Sequence, residues 1–376
     1  MRNAKLLSLF SSLFLLSGCW DQTQLNETKL VRAAGFDYLK NGKIKNTASI
    51  PQSLNTEAGG VGQVNNQVFY AVGNTARQSR IKLDRKVSEQ VDASKNLIVI
   101  LGEDAAKHDI YHILDVFYRD PKSALNARIA VAKGKASDVI NSKFEETETT
   151  IGIGQYLNES VSSAEKASIV PTENIQTICP VMFDPGQDFA LPYLVPEKND
   201  VSVNGIAVFH GYKMVGKIYG AQGVMYTLLT GKQKHLSMSL TKKITDKHKD
   251  RILNYVSIKV KKNKRTFNVN VSPDDKISAH IKLDMKVVIT EYPRDNLTTK
   301  KKIQKIEKAL SKRLTKDANT VLNDLQDMNS DAFGVGRKLI AFHNPTWKRL
   351  DWNKEYPNID YTASVNVKVI GHGIIE

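Results

Sequence analysis

Apolar residues alternate with polar ones along some stretches of this chain and recur at helical spacing along others, so strands and helices interleave. Val31 to Tyr38 and Lys43 to Ile50 read as a hairpin, with Asn41-Gly42 as a type I′ turn signal. Gly59-Gly60-Val61-Gly62 with Asn65-Asn66 reads as a loop. The pattern then runs strand, helix, strand, helix, strand over Val68 to Val72, Thr75 to Val91, Leu97 to Leu101, Asp104 to Tyr118 and Arg128 to Ala132. Such alternation predicts an α/β lobe built on a mixed sheet.

Ala136 to Phe144 and Ile151 to Ala164 read as further helices. From Ile169 to Asp200 five prolines (Pro171, Pro180, Pro185, Pro192, Pro196) argue against both helix and central strand, so the main interdomain connection is expected there. Val201 to His210 and Lys213 to Tyr219 form a second hairpin about Gly211, and Val224 to Leu229 a helix. Strands follow at His235 to Ile244, Val256 to Lys261, Thr266 to Val271 and Ile277 to Tyr292, where Ile281, Leu283 and Met285 give one buried face. Ile303, Ile306, Leu310, Leu314, Val321 and Leu325 recur at helical spacing and predict one long helix. Ile359 to Ile370 closes the unit as a strand.

The expected fold class is therefore α+β or mixed α/β and multidomain. It has an N-terminal α/β lobe with a mixed sheet and a C-terminal lobe with a mainly antiparallel sheet plus a long helix. The expected units are a signal segment at 1–18, an N-terminal α/β domain at 19–135, a middle subdomain and Pro-rich connection at 136–200, and a C-terminal α+β domain at 201–376.

The first residues change the picture most. Arg2 and Lys5 precede an apolar run from Leu6 to Leu15, which is too short to span a bilayer and has the form of an export signal. It ends on Leu16-Ser17-Gly18-Cys19, where small residues precede a thiol that can take a diacylglyceryl group. Cys19 is thus the expected lipid attachment site, S-diacylglyceryl and N-acyl. Burying a CH₂ contributes about 0.8 kcal/mol, so two fatty chains hold firmly where one holds marginally. After residue 19 the longest apolar stretches, such as Leu97 to Leu101, are a strand's length. The expected location is the outer face of the cytoplasmic membrane, with the rest of the chain tethered outside.

With 41% hydrophobic residues over 376, the chain can bury a sizeable core and is expected to fold rather than stay disordered. Lipidation of Cys19 leaves Cys179 without an intramolecular partner, so no disulfide framework is expected, and Cys179 reads as a buried small hydrophobe. The net charge of +15 is lopsided: residues 1–200 carry 22 Lys+Arg against 23 Asp+Glu, and residues 201–376 carry 32 against 16. That asymmetry points to an anionic partner for the second half, and in an exported chain lipid headgroups or an acidic protein face fit better than nucleic acid.

Lys300, Lys301, Lys302, Lys305 and Lys308 stand at the start of the long helix, where positive charge opposes the macrodipole. Lys300, Lys301 and Lys302 are therefore read as a contact for anionic lipid or a partner subunit, against the plainer reading of a solvated face. His108 and His112 have the i, i+4 spacing of metal ligands, but neither the metalloprotease Glu nor a third ligand accompanies them, and satisfied surface histidines fit better. Phe333-Gly334-Val335-Gly336-Arg337 follows a helix and lacks the Lys-Ser/Thr ending of a phosphate loop, so it reads as a tight bend. Trp347 and Trp352, beside Lys348-Arg349, read as contact anchors or as core. No nucleophile elbow or other enzyme signature is found, and neither a cofactor nor a metal ion is expected.

Taken together, several marks resemble the Ger(x)C family, the lipoprotein C subunits of spore nutrient germinant receptors. The N-terminal marks are the lipobox followed by Trp20-Asp21 and Leu25-Asn26-Glu27, and the strand Val31 to Asp37 with Gly35. Leu101-Gly102-Glu103, Arg119-Asp120-Pro121 and Val203-Asn204-Gly205-Ile206-Ala207-Val208-Phe209 follow. The most specific stretch is Asp331 to Lys338 with Pro345, Trp347, Leu350-Asp351-Trp352 and Tyr356-Pro357-Asn358-Ile359-Asp360-Tyr361. The resemblance implies a three-domain lipoprotein without catalytic residues on the outer face of the spore inner membrane. It implies action with polytopic membrane subunits A and B in triggering germination. The alternative is a solute-binding lipoprotein of a transporter, which would need a large cleft between two similar α/β lobes.

Overall fold

A computed structural model of the chain describes residues 28–53, 64–142, 151–198, 200–232, 238–295, 297 and 299–372. Cys19, the marks from Trp20 to Glu27 and the Gly59 to Gly62 part of the expected loop lie outside the described residues, whereas Asn65 and Asn66, read with that loop, belong to a strand paired with Gln52 and Pro51. A short β1 (Thr28–Leu30) leads into β2 (Ala33–Tyr38) and β3 (Ile44–Ser53), the expected antiparallel hairpin. Its turn is not type I′. Gly42 alone takes positive φ (77°), and its N–H donates to the Leu39 carbonyl at 2.8 Å, so one left-handed residue closes the loop where type I′ needs two.

After β4 (Val64–Gly73), α1 (Ala76–Asp84) stops short of Val91, because β5 (Gln90–Asp92) pairs in parallel with β1 and Val91 fills a buried site there. Beyond β6 (Ile98–Gly102) the expected single helix is two, α2 (Glu103–Lys107) and α3 (Tyr111–Arg119). His108 is extended (ψ 178°), and the Asp109 carboxylate accepts the Tyr111 N–H at 2.9 Å, which restarts the helix.

Next come β7 (Arg128–Ala132), α4 (Ala136–Ile140), α5 (Ile153–Lys166), α6 (Ile175–Met182), β8 (Ala190–Pro196), β9 (Val201–His210) and β10 (Lys213–Tyr219). Eight strands form one mixed sheet in the order β10-β9-β8-β7-β6-β2-β3-β4. The pairs β2/β6, β6/β7 and β7/β8 are parallel and the rest antiparallel. Central strands are buried on both faces: Ile98 and Ile100 pack on α4 and α5, whereas Val99 and Leu101 face α3 and α6.

The expected boundary at residue 200 falls between β8 and β9, which are hydrogen-bonded neighbours in this sheet. The prolines did not exclude regular structure. Pro180 sits inside α6, and Pro192 lies in the interior strand β8, where the register with β9 shifts between Pro192 and Leu194 and so absorbs the missing donor.

The C-terminal lobe begins with α7 (Gly220–Thr230) and has the sheet order β11 (Ser239–Lys243), β12 (Tyr255–Val271), β13 (Ile277–Glu291), β14 (Asp360–Gly371). The first two pairs are antiparallel and β13/β14 is parallel, matching a mainly antiparallel sheet. The two strands expected between Val256 and Val271 are one, with an irregularity between Val260 and Lys262 taking up the polar run that resembles a turn.

The long helix α8 (Lys300–Asp327) buries Ile306, Leu310, Leu314, Ala318, Val321, Leu322 and Leu325 against this sheet. It also covers the edge of β14: Glu307, Ser311, Thr315 and Asn319 accept the N–H groups of Val369, Val367, Val365 and Ala363 at 2.8 to 3.0 Å. Four helical residues rise about 6 Å and two strand residues about 6.6 Å, so the two ladders stay in step. An edge that would otherwise offer unpaired donors is closed.

Candidate functional site

Lys300, Lys301 and Lys302 occupy the first turn of α8, all exposed, behind the N-cap Thr299, and that turn holds no acidic residue. Among the described residues Lys300, Lys301, Lys305 and Lys308 make no ion pair. The cationic end of the helix therefore faces outward, with Lys300 and Lys301 free of ion pairs among the described residues. His108 and His112 do not share a helix face: His108 stacks on Tyr38 at 3.8 Å, while His112 lies 3.8 Å from the Asp109 carboxylate. Cys179 is half-buried in α6 rather than buried.

The most elaborate constellation lies where the lobes meet. α8 ends at Asp327, and the chain runs through Ser330-Asp331 and turns at Gly334 (φ 76°) into α9 (Val335–Phe342), followed by α10 (Asn344–Trp347) and α11 (Trp352–Glu355). Asp331, 3% exposed, caps α9: its carboxylate accepts from the N–H groups of Gly334 (2.9 Å), Val335 (2.8 Å) and Gly336 (2.7 Å) and from the Trp352 indole (3.2 Å). Burial pushes its carboxyl up to about 8, against the pull of these donors.

Across the junction, Asp188 just before β8 accepts the Asp331 N–H at 2.8 Å and the Gly211 N–H at 2.7 Å, with His210 Nδ1 at 3.1 Å. Ser330 Oγ donates to the Phe209 carbonyl at 2.6 Å, and Arg337 adds a backbone bond to Gly186 (2.7 Å) and an ion pair to Asp184 (3.3 Å). A Cβ on Gly336 would lie 2.8 to 2.9 Å from Trp352, Gly186 and Trp347, so this close approach requires glycine. Trp347 and Trp352 are half-buried, with ring centroids 5.6 Å apart, and pack on the C-terminal core. The tight bend expected at Gly334 and Gly336 is present, but the role of Asp331 in capping it was missed. An acidic residue three before a Gly-x-Gly helix start was the available signal.

Beside this junction the lobes enclose a cavity of about 660 Å³, reached by Glu165 and Glu173 from the first lobe and by Arg265, Phe267 and Phe333 from the second. Among the described residues no helix is long and apolar enough to cross a membrane, and no group of three or more His, Cys, Asp and Glu is placed to hold a metal ion.

Two family models match in tandem: "Spore germination protein N-terminal domain" over residues 21–196 and "Spore germination B3/GerAC like, C-terminal" over residues 204–373. The chain belongs to the Ger(x)C family. It is 25% identical to spore germination protein GerQC of Bacillus cereus over 99% of both chains. It is 21% identical to spore germination protein B3 of Bacillus subtilis (strain 168) over 99% of this chain and 98% of the relative. The crystal structure of the GerBC protein matches with a TM-score of 0.55 at 18% identity, covering 93% of this chain and all of that one (100%), which establishes a shared fold.

Seen in three dimensions, the Ger(x)C marks of this chain are fastenings of the fold. Asp37 accepts the N–H groups of Ala136 (2.6 Å) and Ser137 (3.1 Å) at the start of α4, and a Cβ on Gly102 would come within 2.3 Å of the same carboxylate. Glu103 accepts from Tyr193 Oη (2.6 Å) and Lys217 Nζ (3.1 Å), joining the end of β6 to β8 and β10. Asp120 pairs with Arg80 (3.0 Å) and Arg77 (3.3 Å) of α1. Asp331, Gly336 and Trp352 form the junction between lobes described above.

Proposed function

We propose that the protein is a lipid-anchored, non-enzymatic subunit of a spore nutrient germinant receptor that acts with polytopic A and B subunits to trigger germination. The observation that carries this reading is the end-to-end likeness to spore germination proteins, together with the Leu16-Ser17-Gly18-Cys19 ending of an export signal. Acylated Cys19 moors the chain on the outer face of the membrane. Confinement to that surface raises its effective concentration beside the other subunits. Domains are read as 19–135, 136–200 and 201–376 after the signal at 1–18, with β8 and β9 tying the last two across the boundary.

The lysines at the start of α8 give this reading an orientation. Lys300, Lys301 and Lys302 face anionic headgroups or an acidic face of a membrane subunit, each basic residue near such a surface contributing about 1 kcal/mol.

Four measurements test the reading and its orientation. Mass spectrometry of the purified native protein is expected to find acyl chains on Cys19, and spores carrying Cys19→Ala are expected to respond poorly to nutrients. An unmodified thiol with a full response in Cys19→Ala spores would sink it. Membrane purification through a tag on this chain is expected to bring down two multi-span proteins, whereas recovery of an ATPase would favour the transporter alternative. Replacing Lys300, Lys301 and Lys302 with Gln is expected to weaken salt-dependent binding to vesicles of anionic lipid, and undiminished binding removes the orientation.

A further inference from the structure

The cavity between the lobes is lined by two side chains of opposite sign, each with one buried polar atom that has no hydrogen-bond partner among the described residues. Glu165 of α5 has a side chain only 5% exposed, and its Oε2 accepts from Arg128 Nε at 3.0 Å. Its Oε1 is buried and finds no hydrogen-bond partner among the described residues. Burial pushes this carboxyl up despite the neighbouring guanidinium, and Glu173, pushed up by burial as well, adds to the negative potential felt there.

Arg265 of β12 reaches the same cavity from the other lobe. Its guanidinium lies 4.5 Å from the Phe267 ring centroid, and among the described residues its buried Nε finds no hydrogen-bond partner and the side chain makes no ion pair. Burial pulls its pKa down, as expected for a guanidinium short of counter-charge. Phe267, Phe333 and Tyr226 supply apolar wall around these groups.

Leaving a buried donor or acceptor unpaired is destabilising, because it loses its bonds to water without replacement. A fold that keeps one of each on the same cavity has left places for a partner from outside. The volume of about 660 Å³ falls within the range of small-molecule sites. The aromatic side chains of Phe267, Phe333 and Tyr226 on the cavity wall favour an apolar spacer over a string of ordered waters, which need two to four polar partners each.

We propose that this cavity binds a small organic molecule carrying a carboxylate for Arg265 and an N–H or O–H donor for Glu165 Oε1, joined by an apolar spacer lying on Phe267 and Phe333. The inference does not depend on the receptor reading, because it rests only on groups within the fold.

The test uses the full-length chain in detergent and two ruler series, the linear ω-amino carboxylates from glycine to aminohexanoate and the matching ω-hydroxy carboxylates. The expected result is a rise in melting temperature and calorimetric binding that peak at one spacer length, the better series identifying the donor. Arg265→Gln and Glu165→Gln are each expected to weaken that binding by about tenfold or more. Ligand-free Arg265→Met is expected to melt at or above the wild-type temperature, since it removes a half-buried charge that makes no ion pair among the described residues. Absence of binding across both series overturns the proposal. So does binding that both Gln variants retain, or a lower melting temperature for ligand-free Arg265→Met, which would give Arg265 a structural role.

Discussion

Asp188 and Asp331, 143 residues apart, hold each other's backbone: the Asp188 carboxylate accepts the Asp331 N–H at 2.8 Å, and the Asp188 N–H donates to the Asp331 carbonyl at 2.9 Å. One residue precedes β8 of the first sheet and the other follows α8 of the second lobe, so this exchange fixes the lobes directly. Asp331 also satisfies three N–H groups that open α9, and truncation would strand them in a buried site. Asp331→Ala is expected to cost roughly 3 kcal/mol in urea unfolding. Asp331→Asn is expected to be nearly as damaging, because its amide would turn a donor toward one of those N–H groups. A loss near that of an exposed Asp→Ala change would contradict this account of the junction.

His210 gives the same junction a pH dependence. Its hydrogen bond to Asp188 raises its pKa above the ordinary 6.5, an effect larger than the opposing one of burial. The folded chain therefore holds the proton more tightly than the unfolded chain. This stabilisation is fully present below about pH 6.5 and fades as pH rises through the folded value. Melting temperatures measured from mildly acidic to alkaline pH are expected to fall in that window for the wild type and to fall less for His210→Gln. Parallel curves would remove His210 from the junction's energetics.

Glu103 acts at the opposite end of the pH scale. Burial alone would raise its carboxyl, but bonds from Tyr193, Lys107 and Lys217 hold it at about 2, against 4.5 in an unfolded chain. Its contribution, roughly 3 kcal/mol, is present above pH 4.5 and lost as pH falls toward 2. Glu103→Gln is expected to flatten acid unfolding in this interval while lowering stability at neutral pH. Since Lys217 lies in β10, the variant also tests how firmly strands beyond residue 200 are fastened to the first sheet.

Much of this architecture was legible in the chain, and the exceptions have identifiable causes. The long amphipathic stretch from Ile306 to Leu325 and the alternation around Ile281 to Met285 have strong periods, and both elements formed as their patterns demand. Local rules failed where tertiary structure outvoted them. Pro192 entered an interior strand because a register shift absorbs its missing N–H, and Val91 left a helical pattern to pair beside β1. At the candidate sites, Lys300 to Lys302 are exposed because they precede the buried stripe of α8, which starts only at Ile306. The meeting of Glu165 with Arg265 had no signature in spacing, because the two lie on different lobes and share only the cavity between them.

The edge of β14 shows how a period hidden beside a hydrophobic stripe can shape a fold. Asn319 both accepts the Ala363 N–H at 2.9 Å and donates to the Ala363 carbonyl at 2.8 Å, a two-way bond that substitutes for a neighbouring strand. Thr315, Ser311 and Glu307 continue the series one turn apart, so each serves the next outward N–H of the strand. Asn319→Leu keeps comparable bulk and removes both bonds, with an expected loss of about 2 kcal/mol, and Thr315→Val about 1 kcal/mol. Site-resolved hydrogen exchange gives the sharper readout. The Ala363 amide is expected to exchange faster in Asn319→Leu and the Val365 amide in Thr315→Val, each without change at Ile281 in the neighbouring strand β13. Equal protection of Ala363 in wild type and Asn319→Leu would mean that the packing of α8, rather than its hydrogen-bonding ladder, shields this edge.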